Sequence, residues 1–547
     1  MHRDSWRLWA AAVVSAGLLE LPFPLAGPMP PWRSIFAFFA LAPLLVAILS
    51  PTNLHGRHPL RRGFLLGYVC GVLWYAGNCY WIYATMRIYG GLSAWISALM
   101  LAGFSLVLGL YFGIFAWGVV LLRRATGSLK LALAAAPVLW VAVELAGARI
   151  TSVPWDQLGY SQVDNTVLTL LAPWTGVYGI SFVLVVANAL IAGGLLLARC
   201  RAKRSWGICG VILACGGVAG IFVPSPRPAA TATAVLIQPN LNVGAYNNWA
   251  GKVWDTHMEQ FARQAAETCT SYIAGIPQTG APVVTPKCPE SPAHPDLVAW
   301  PESPAPFFEA DPRFEKAMGA IARQVQAPLI VNAIGSDYSQ ASNTWKDYVS
   351  AVIFDAQGQR VGRYDKIHLV PFGEYIPFKQ VFFFAHKLTG AVPNFSHGTR
   401  IKVFYLNGHR YGVFICYEAV FAEEVRQFAR MGAQVLVNLS DDGWYGDTSA
   451  PWQHLNMARM RAIENRRWLL RDTNNGVTAS IDPYGRVRES IPRHRVDVLA
   501  ARFGFNSQIT FYTAHGDVFA WLCAILSLGM VAWSAPQPGK ADDGCQK

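Results

Sequence analysis

Charge is scarce in this chain. Only 14% of its 547 residues are Asp, Glu, Lys or Arg, whereas 53% are hydrophobic and the mean hydropathy is +0.27. That balance is unusual for a water-soluble globule and points to membrane spans. None of the ten cysteines stands at a metal-ligand spacing, so no metal or cofactor site is expected. Residues 225–515 contain no internal repeat and no low-complexity tract. The formal charge of +12 does not point to nucleic acid, because residues 225–515 hold 28 basic and 25 acidic side chains and most of the excess lies elsewhere.

Long apolar runs, by contrast, are abundant. Crossing about 30 Å of hydrocarbon takes about 17 helical residues or more. Apolar stretches of that size lie near 7–24, 34–50, 63–83, 93–121, 130–148, 174–198, 206–223 and 516–534, so eight transmembrane helices are expected. Basic residues decide their direction, since short cytoplasmic loops collect Lys and Arg. The N-terminus and three alternate loops, with Arg3, Arg7, Arg57, Arg61, Arg62, Arg123, Arg124, Lys130, Arg199, Arg201, Lys203 and Arg204, hold 12, and the intervening loops hold only Arg33, Arg87 and Arg149. Residues 1–224 are therefore expected to form seven helices, 225–515 an extracytoplasmic domain, and 516–547 a returning helix and tail, with both termini cytoplasmic. The basic, apolar start resembles a signal peptide, but the spans after it favour an uncleaved first helix. Cys70, Cys79, Cys200, Cys209, Cys215 and Cys523 fall in or beside spans and read as small buried hydrophobes. Cys269 and Cys288 bracket an external Gly-, Pro- and Thr-rich stretch, for which a disulfide is expected.

Three prolines among Pro224, Pro226 and Pro228 make a stiff exit from the seventh span. Beyond them strands are expected at 231–237, 297–300, 329–331, 348–355, 360–364, 410–415, 435–438, 469–472 and 478–482, and helices at 254–267, 314–326 and 421–431. Alternating strands and helices give a two-layer or sandwiched α/β domain.

Three reactive residue types stand at strand ends in this domain. Glu302 follows Ala299-Trp300-Pro301 and is a candidate general base. Lys366 precedes an apolar run containing Pro371 and Gly373, a setting that turns an ammonium inward towards developing negative charge. Cys416 closes Val413-Phe414-Ile415 ahead of a helix, whose start is expected to lower the thiol pKa. Together they suit acyl transfer through a thioester.

The order Glu302, Lys366, Cys416, in the settings WPES, YDKIHLVPFGEYIPF and GVFICYE, resembles the nitrilase, or carbon-nitrogen hydrolase, superfamily. Within it, PFGEYIP, CYE, LVNLSDDGWYGDTSAPWQHLNMARMRAIENRRWLLRDTNNG and the loop VPWDQLGYSQ resemble the apolipoprotein N-acyltransferase family, over nearly the whole chain. The resemblance implies an αββα nitrilase-like sandwich joined to the eight-helix membrane domain. It implies Glu302 as general base, Lys366 as oxyanion stabiliser and Cys416 as the acylated nucleophile. It further implies that Glu374 positions Lys366 and substrate, that Tyr417 and Glu418 support the nucleophile with the Tyr417 N–H as a second oxyanion donor, and that Trp249 covers the pocket. The implied donor is a phospholipid, with phosphatidylethanolamine favoured. The implied acceptor is the α-amine of a diacylglyceryl cysteine on an apolipoprotein, and the implied location is a bacterial inner membrane with the catalytic domain periplasmic. A monomer is expected.

Two alternatives use the same residues differently. A membrane-tethered amidase would pass its acyl-enzyme to water, but seven preceding spans suit lateral entry of lipid better than a single anchor. A transporter with a ligand-binding external domain would leave Glu302, Lys366 and Cys416 without shared purpose. Val381-Phe382-Phe383-Phe384 reads either as a membrane-dipping lid or as a buried loop. Asp441-Asp442 reads as a polar turn, His368 and His454 as packing or hydrogen-bonding residues, and Glu144 as a structural carboxylate inside the fifth span.

Overall fold

A computed structural model of the protein describes residues 5–197, 205–241, 295–302, 307–340, 343–375 and 395–534. The expected helix at 254–267, the Cys269–Cys288 pair, Trp249 and the apolar run 381–384 lie outside the described residues. The first half is helical: α1 (Ser5–Glu20), α2 (Ala42–Leu49), α3 (Pro59–Asn78), α4 (Ala94–Thr126), α5 (Leu129–Ile150), α6 (Val177–Leu196) and α7 (Ser205–Ala219). Helices occupy all eight apolar stretches, but only four among the described residues are long and apolar enough to cross a membrane. These are Pro31–Leu49, which joins a 3-10 segment to α2, and α4, α5 and α6. The helices in the first and seventh stretches span 16 and 15 residues, and that in the last, Val518–Ser534, spans 17. Cys70, Cys79 and Cys523 are buried as expected, whereas Cys209 and Cys215 are exposed on α7, on the side of the helix away from the face that packs against α6.

Chain reversals follow local chemistry. Between α4 and α5, Gly127 takes φ +66, the left-handed conformation that ends helices at low cost in glycine, and the Ser128 side chain accepts from the Leu131 N–H to start the next. Within α5 the Glu144 Oε1 accepts from Trp140 Nε1 at 2.9 Å and from the Leu158 N–H at 2.8 Å, anchoring the loop beyond the helix.

The second half holds two six-stranded mixed sheets. One runs β12-β1-β2-β3-β4-β5, with β1 (Ala232–Gln238), β2 (Leu297–Trp300), β3 (Leu329–Ser339), β4 (Thr344–Phe354), β5 (Arg360–Asp365) and β12 (Asp497–Phe503). The other runs β11-β10-β9-β8-β7-β6, with β6 (Val403–Leu406), β7 (His409–Ile415), β8 (Val435–Ser440), β9 (Trp468–Thr473), β10 (Thr478–Ile481) and β11 (Val487–Ile491). Period-two alternation assigns the faces of the first sheet. Ala234, Leu236, Ala299, Ile330 and Ala351 pack with Val413, Val437 and Leu470 of the second sheet. Val235, Ile237, Val298, Val331 and Val352 pack instead under Phe314, Met318 and Ala322 of α8 (Pro312–Val325). Sheets lie inside and helices outside, with α9 (Ala422–Arg430) and α10 (Ala450–Asn465) serving the second sheet. The chain then ends its described part in α11 (Val518–Ser534).

Candidate active site

Strand direction brings the three reactive residues together. β2 and β3 are parallel, β4 is antiparallel to β3 and β5 to β4, so β2 and β5 finish at the same edge of their sheet. Glu302 follows β2 across Pro301, which has no N–H with which to extend the ladder, and Lys366 follows β5 directly. In the second sheet the parallel strands β7 and β8 end at Cys416 and Asp441. Four strand ends from two sheets thus meet at one point.

Lys366 is the centre of the cluster. Its Nζ donates to Glu302 Oε1 at 2.8 Å and to Glu374 Oε1 at 2.7 Å. Glu302 Oε2 accepts from the Asp441 N–H at 3.2 Å, its carboxylate lies close enough to the Cys416 thiol for each to act on the other's charge, and Glu374 Oε2 accepts from the Val370 N–H at 2.8 Å. Lys366, Glu302 and Cys416 are 0%, 2% and 4% exposed, so the groups set one another's protonation with little help from water. Burial raises the Glu302 pKa despite the opposing Lys366 charge. Burial alone would lower Lys366, but the carboxylates of Glu302 and Glu374 outweigh it and hold the ammonium well above its ordinary value. Burial and then Glu302 push the Cys416 thiol well up. This corrects the expectation that a helix start lowers it. A 3-10 turn, Cys416–Val420, intervenes, and α9 begins only at Ala422.

Glu418 ties the two sheets' contributions together. Its Oε2 accepts from the Ile415 N–H at 2.7 Å, ahead of the thiol, while Oε1 accepts from the Ile367 N–H at 2.6 Å, just past Lys366, and from Tyr364 Oη at 2.8 Å. Tyr417 points the other way, towards the helical half. Its ring lies 6.4 Å from that of Trp155, with 23° between their planes, and its hydroxyl reaches the Ser152 carbonyl at 3.5 Å. The residue after the thiol therefore packs on the loop that follows α5.

Sequence reasoning missed a buried polar network behind the thiol. Asp441 and Asp442 do form a turn, but Asp441 is its cap, accepting from the Gly443 N–H, and Asp442 faces Arg471 at 2.8 Å and His454 at 2.9 Å. Burial alone would raise the Asp442 carboxyl, but Arg471 and His454 together outweigh it and hold it well below the usual range. Burial, reinforced by Arg471, holds the His454 imidazole below its ordinary value. His368 instead stacks on Phe421 and pairs with Glu424. The available signal was Arg471 inside Leu469-Leu470-Arg471, since a charge in a buried strand needs a partner.

Comparison with known proteins covers both halves. The carbon-nitrogen hydrolase family model matches residues 237–504, and that of the apolipoprotein N-acyltransferase N-terminal domain matches residues 15–190. An apolipoprotein N-acyltransferase of Geobacter metallireducens is 33% identical over 527 residues, covering 94% of this chain and 93% of that one. Those of Vibrio parahaemolyticus and Pseudomonas syringae pv. tomato are each 31% identical, covering 92% and 97% of this chain and 94% and 97% of theirs. With both halves matched in one order and relatives aligned almost end to end, this chain belongs to the apolipoprotein N-acyltransferase family.

Proposed function

We propose that the protein carries a fatty acyl group from a phospholipid, through a thioester on Cys416, to the N-terminal α-amine of a diacylglyceryl cysteine on an apolipoprotein. The observation that carries this reading is the thiol's position: Cys416 adjoins Glu302 and Lys366 on one side, and Tyr417 packs on Trp155 of the helical half on the other. Such a site suits an acyl donor arriving from a bilayer.

In the first half-reaction Glu302 takes the thiol proton as sulfur attacks an ester carbonyl, and the ammonium of Lys366 with the Tyr417 N–H stabilises the oxyanion. Collapse expels the lysolipid alkoxide, which Glu302 protonates. In the second the α-amine attacks the thioester, Glu302 receives its proton, and the departing thiolate takes that proton back. An α-amine of pKa about 7.7 to 8 is partly neutral at physiological pH, so a carboxylate base suffices. Glu374 holds Lys366 in place, Glu418 fixes the turn, and Trp249 covers the pocket. Phosphatidylethanolamine is the favoured donor and the working unit is a monomer.

The eight apolar stretches support eight spans, seven within residues 1–224 and an eighth in 516–547, and loop charge supports their orientation, with residues 225–515 on the periplasmic side of a bacterial inner membrane and the last helix returning to the cytoplasm. Incubating the purified protein with phospholipid and then a diacylated lipopeptide tests the chemistry. A hydroxylamine-sensitive acyl mass on the Cys416 peptide that moves to the lipopeptide amine is expected. Release only as free fatty acid would favour an amidase-type hydrolase, and Cys416→Ala should carry no acyl group.

A further inference from the structure

Cys416 sits at φ +47, in the left-handed region where a side chain costs about 1–2 kcal/mol relative to the right-handed basin. Such a conformation persists where neighbours over-determine it. Glu418 holds the backbone ahead of the thiol through the Ile415 N–H. On the other side His454 Nε2 lies 3.0 Å from the Cys416 carbonyl oxygen. A carbonyl only accepts, so Nε2 carries a proton. Nδ1 lies 2.9 Å from Asp442 Oδ1 and 3.2 Å from Arg471 Nη2, so it has a partner whether or not it is protonated.

The bonds behind His454 close on the same strand end. Asn438 Nδ2 donates to the Phe414 carbonyl at 3.4 Å, Arg471 Nη1 donates to Asn438 Oδ1, and Arg471 Nη2 donates to both Asp442 oxygens at 2.8 and 3.0 Å. The chain Phe414, Asn438, Arg471, Asp442, His454 thus returns at Cys416, two residues from where it began. All four side chains are 0% exposed. Burying an ion pair and an imidazole there gains little stability over a well-packed apolar group, so the arrangement is better explained by the conformation it imposes. The indole of Trp155 lies over the imidazole, 6.2 Å between ring centres at 26°, and its Nε1 donates at 2.9 Å to Oε1 of Gln453, the preceding residue of α10. The helix that bears His454 is therefore seated directly on the membrane half.

We propose that His454 is a positioning residue for acyl transfer, holding the Cys416 carbonyl so that the thiol stays aimed between Glu302 and Lys366. This rests on the reading of Cys416 as the nucleophile. Misplacement by about 1 Å can cost roughly 100-fold in rate. The amide of Gln reaches the place of Nε2, whereas that of Asn reaches only Nδ1. The test is the single-turnover rate of acyl-Cys416 formation per folded molecule, with phosphatidylethanolamine in detergent micelles, followed by intact mass. His454→Leu and His454→Asn should each fall roughly 100-fold in that rate with the half-saturating lipid concentration unchanged, and His454→Gln should recover to within about tenfold of wild type. The proposal is overturned if Asn or Leu acylates at the wild-type rate, or if Gln is as slow as Asn in correctly folded protein. Should His454→Leu not fold, the Gln and Asn pair still decides. A wild-type protein that never carries acyl on Cys416 would instead overturn the proposed chemistry.

Discussion

Cys416 is a buried thiol whose pKa is pushed up, so it stores its proton until a base removes it in the attacking step. In the proposed chemistry the acid–base work then falls to Glu302, whose own pKa burial raises from an ordinary 4.5. The sign is direct: a base acts when ionised, protonation silences it, and a raised pKa moves that loss to higher pH. The acylation rate should therefore fall on the acid side at a pH clearly above 4.5, and a pH–rate profile of acyl-Cys416 formation checks it. Glu302→Gln keeps the shape but not the base, and should slow acylation by about 10²–10⁴-fold and remove that limb. An acid limb at or below the ordinary carboxylate range would assign the base elsewhere. Glu302 and Cys416 were each legible because each follows a short apolar strand, and Lys366 because it precedes an apolar run. Arg471, Asp442 and His454 were not, because they lie 12 or more residues apart in sequence and become neighbours only when β9, the β8 turn and α10 pack.

Among elements, the buried strands were the most readable, and β2 runs over Leu297–Trp300 as expected. β6, β11 and β12 were missed. β6 and β11 are edge strands of their sheet and β12 of the other, and β11 is exposed or half-exposed at four of its five positions, so no apolar run marks it. α10 was missed for the opposite reason. Gln453, His454, Arg461, Glu464 and Asn465 are all buried, so the helix has no polar face to set against an apolar stripe. The helical half shows its own element-scale rule in the glycines of α3. A Cβ at Gly67 would lie 2.4 Å from the Phe112 carbonyl oxygen, and one at Gly71 2.7 Å from the Phe112 Cβ, so the α3 backbone lies directly on α4 without room for a methyl. Gly67→Ala must push the helices apart at a cost of about 1–3 kcal/mol. A lower melting temperature of the purified protein in detergent is expected, and unchanged melting would show that the pair accommodates the methyl by sliding.

The whole molecule is held at the junction of its halves by polar ties. Gln453 joins α10 to Asn78 and Trp155, and Arg461 Nη2 donates to Tyr160 Oη at 2.7 Å. Arg149 pairs with Asp517 at 2.5 Å and lies 3.4 Å from Glu423. Asp164, in the loop before α6, faces Arg459 and Arg486 of the catalytic half. None of these partners is close in sequence, so the junction could not be read from it, although the helices and strands on either side could. Asp164 makes the tie testable. Burial alone would raise its pKa, but Arg459 and Arg486 outweigh it and hold the carboxyl below its ordinary 3.8. A carboxyl depressed in the folded protein stabilises above its unfolded pKa, and that contribution is lost as pH falls through the folded one. Asp164 is 23% exposed and Arg459 10%, so solvent screens part of the pairing, and Asp164→Asn should cost about 1–3 kcal/mol. Wild type should melt above the variant by a margin that is constant from pH 8 to about pH 5 and narrows below about pH 3.9. Paired melting curves in one detergent measure it. Equal melting at neutral pH would leave the junction to packing and to the Gln453 and Arg461 bonds, whereas a margin that survives full protonation would mean that the carboxylate's shape, not its charge, holds the halves together.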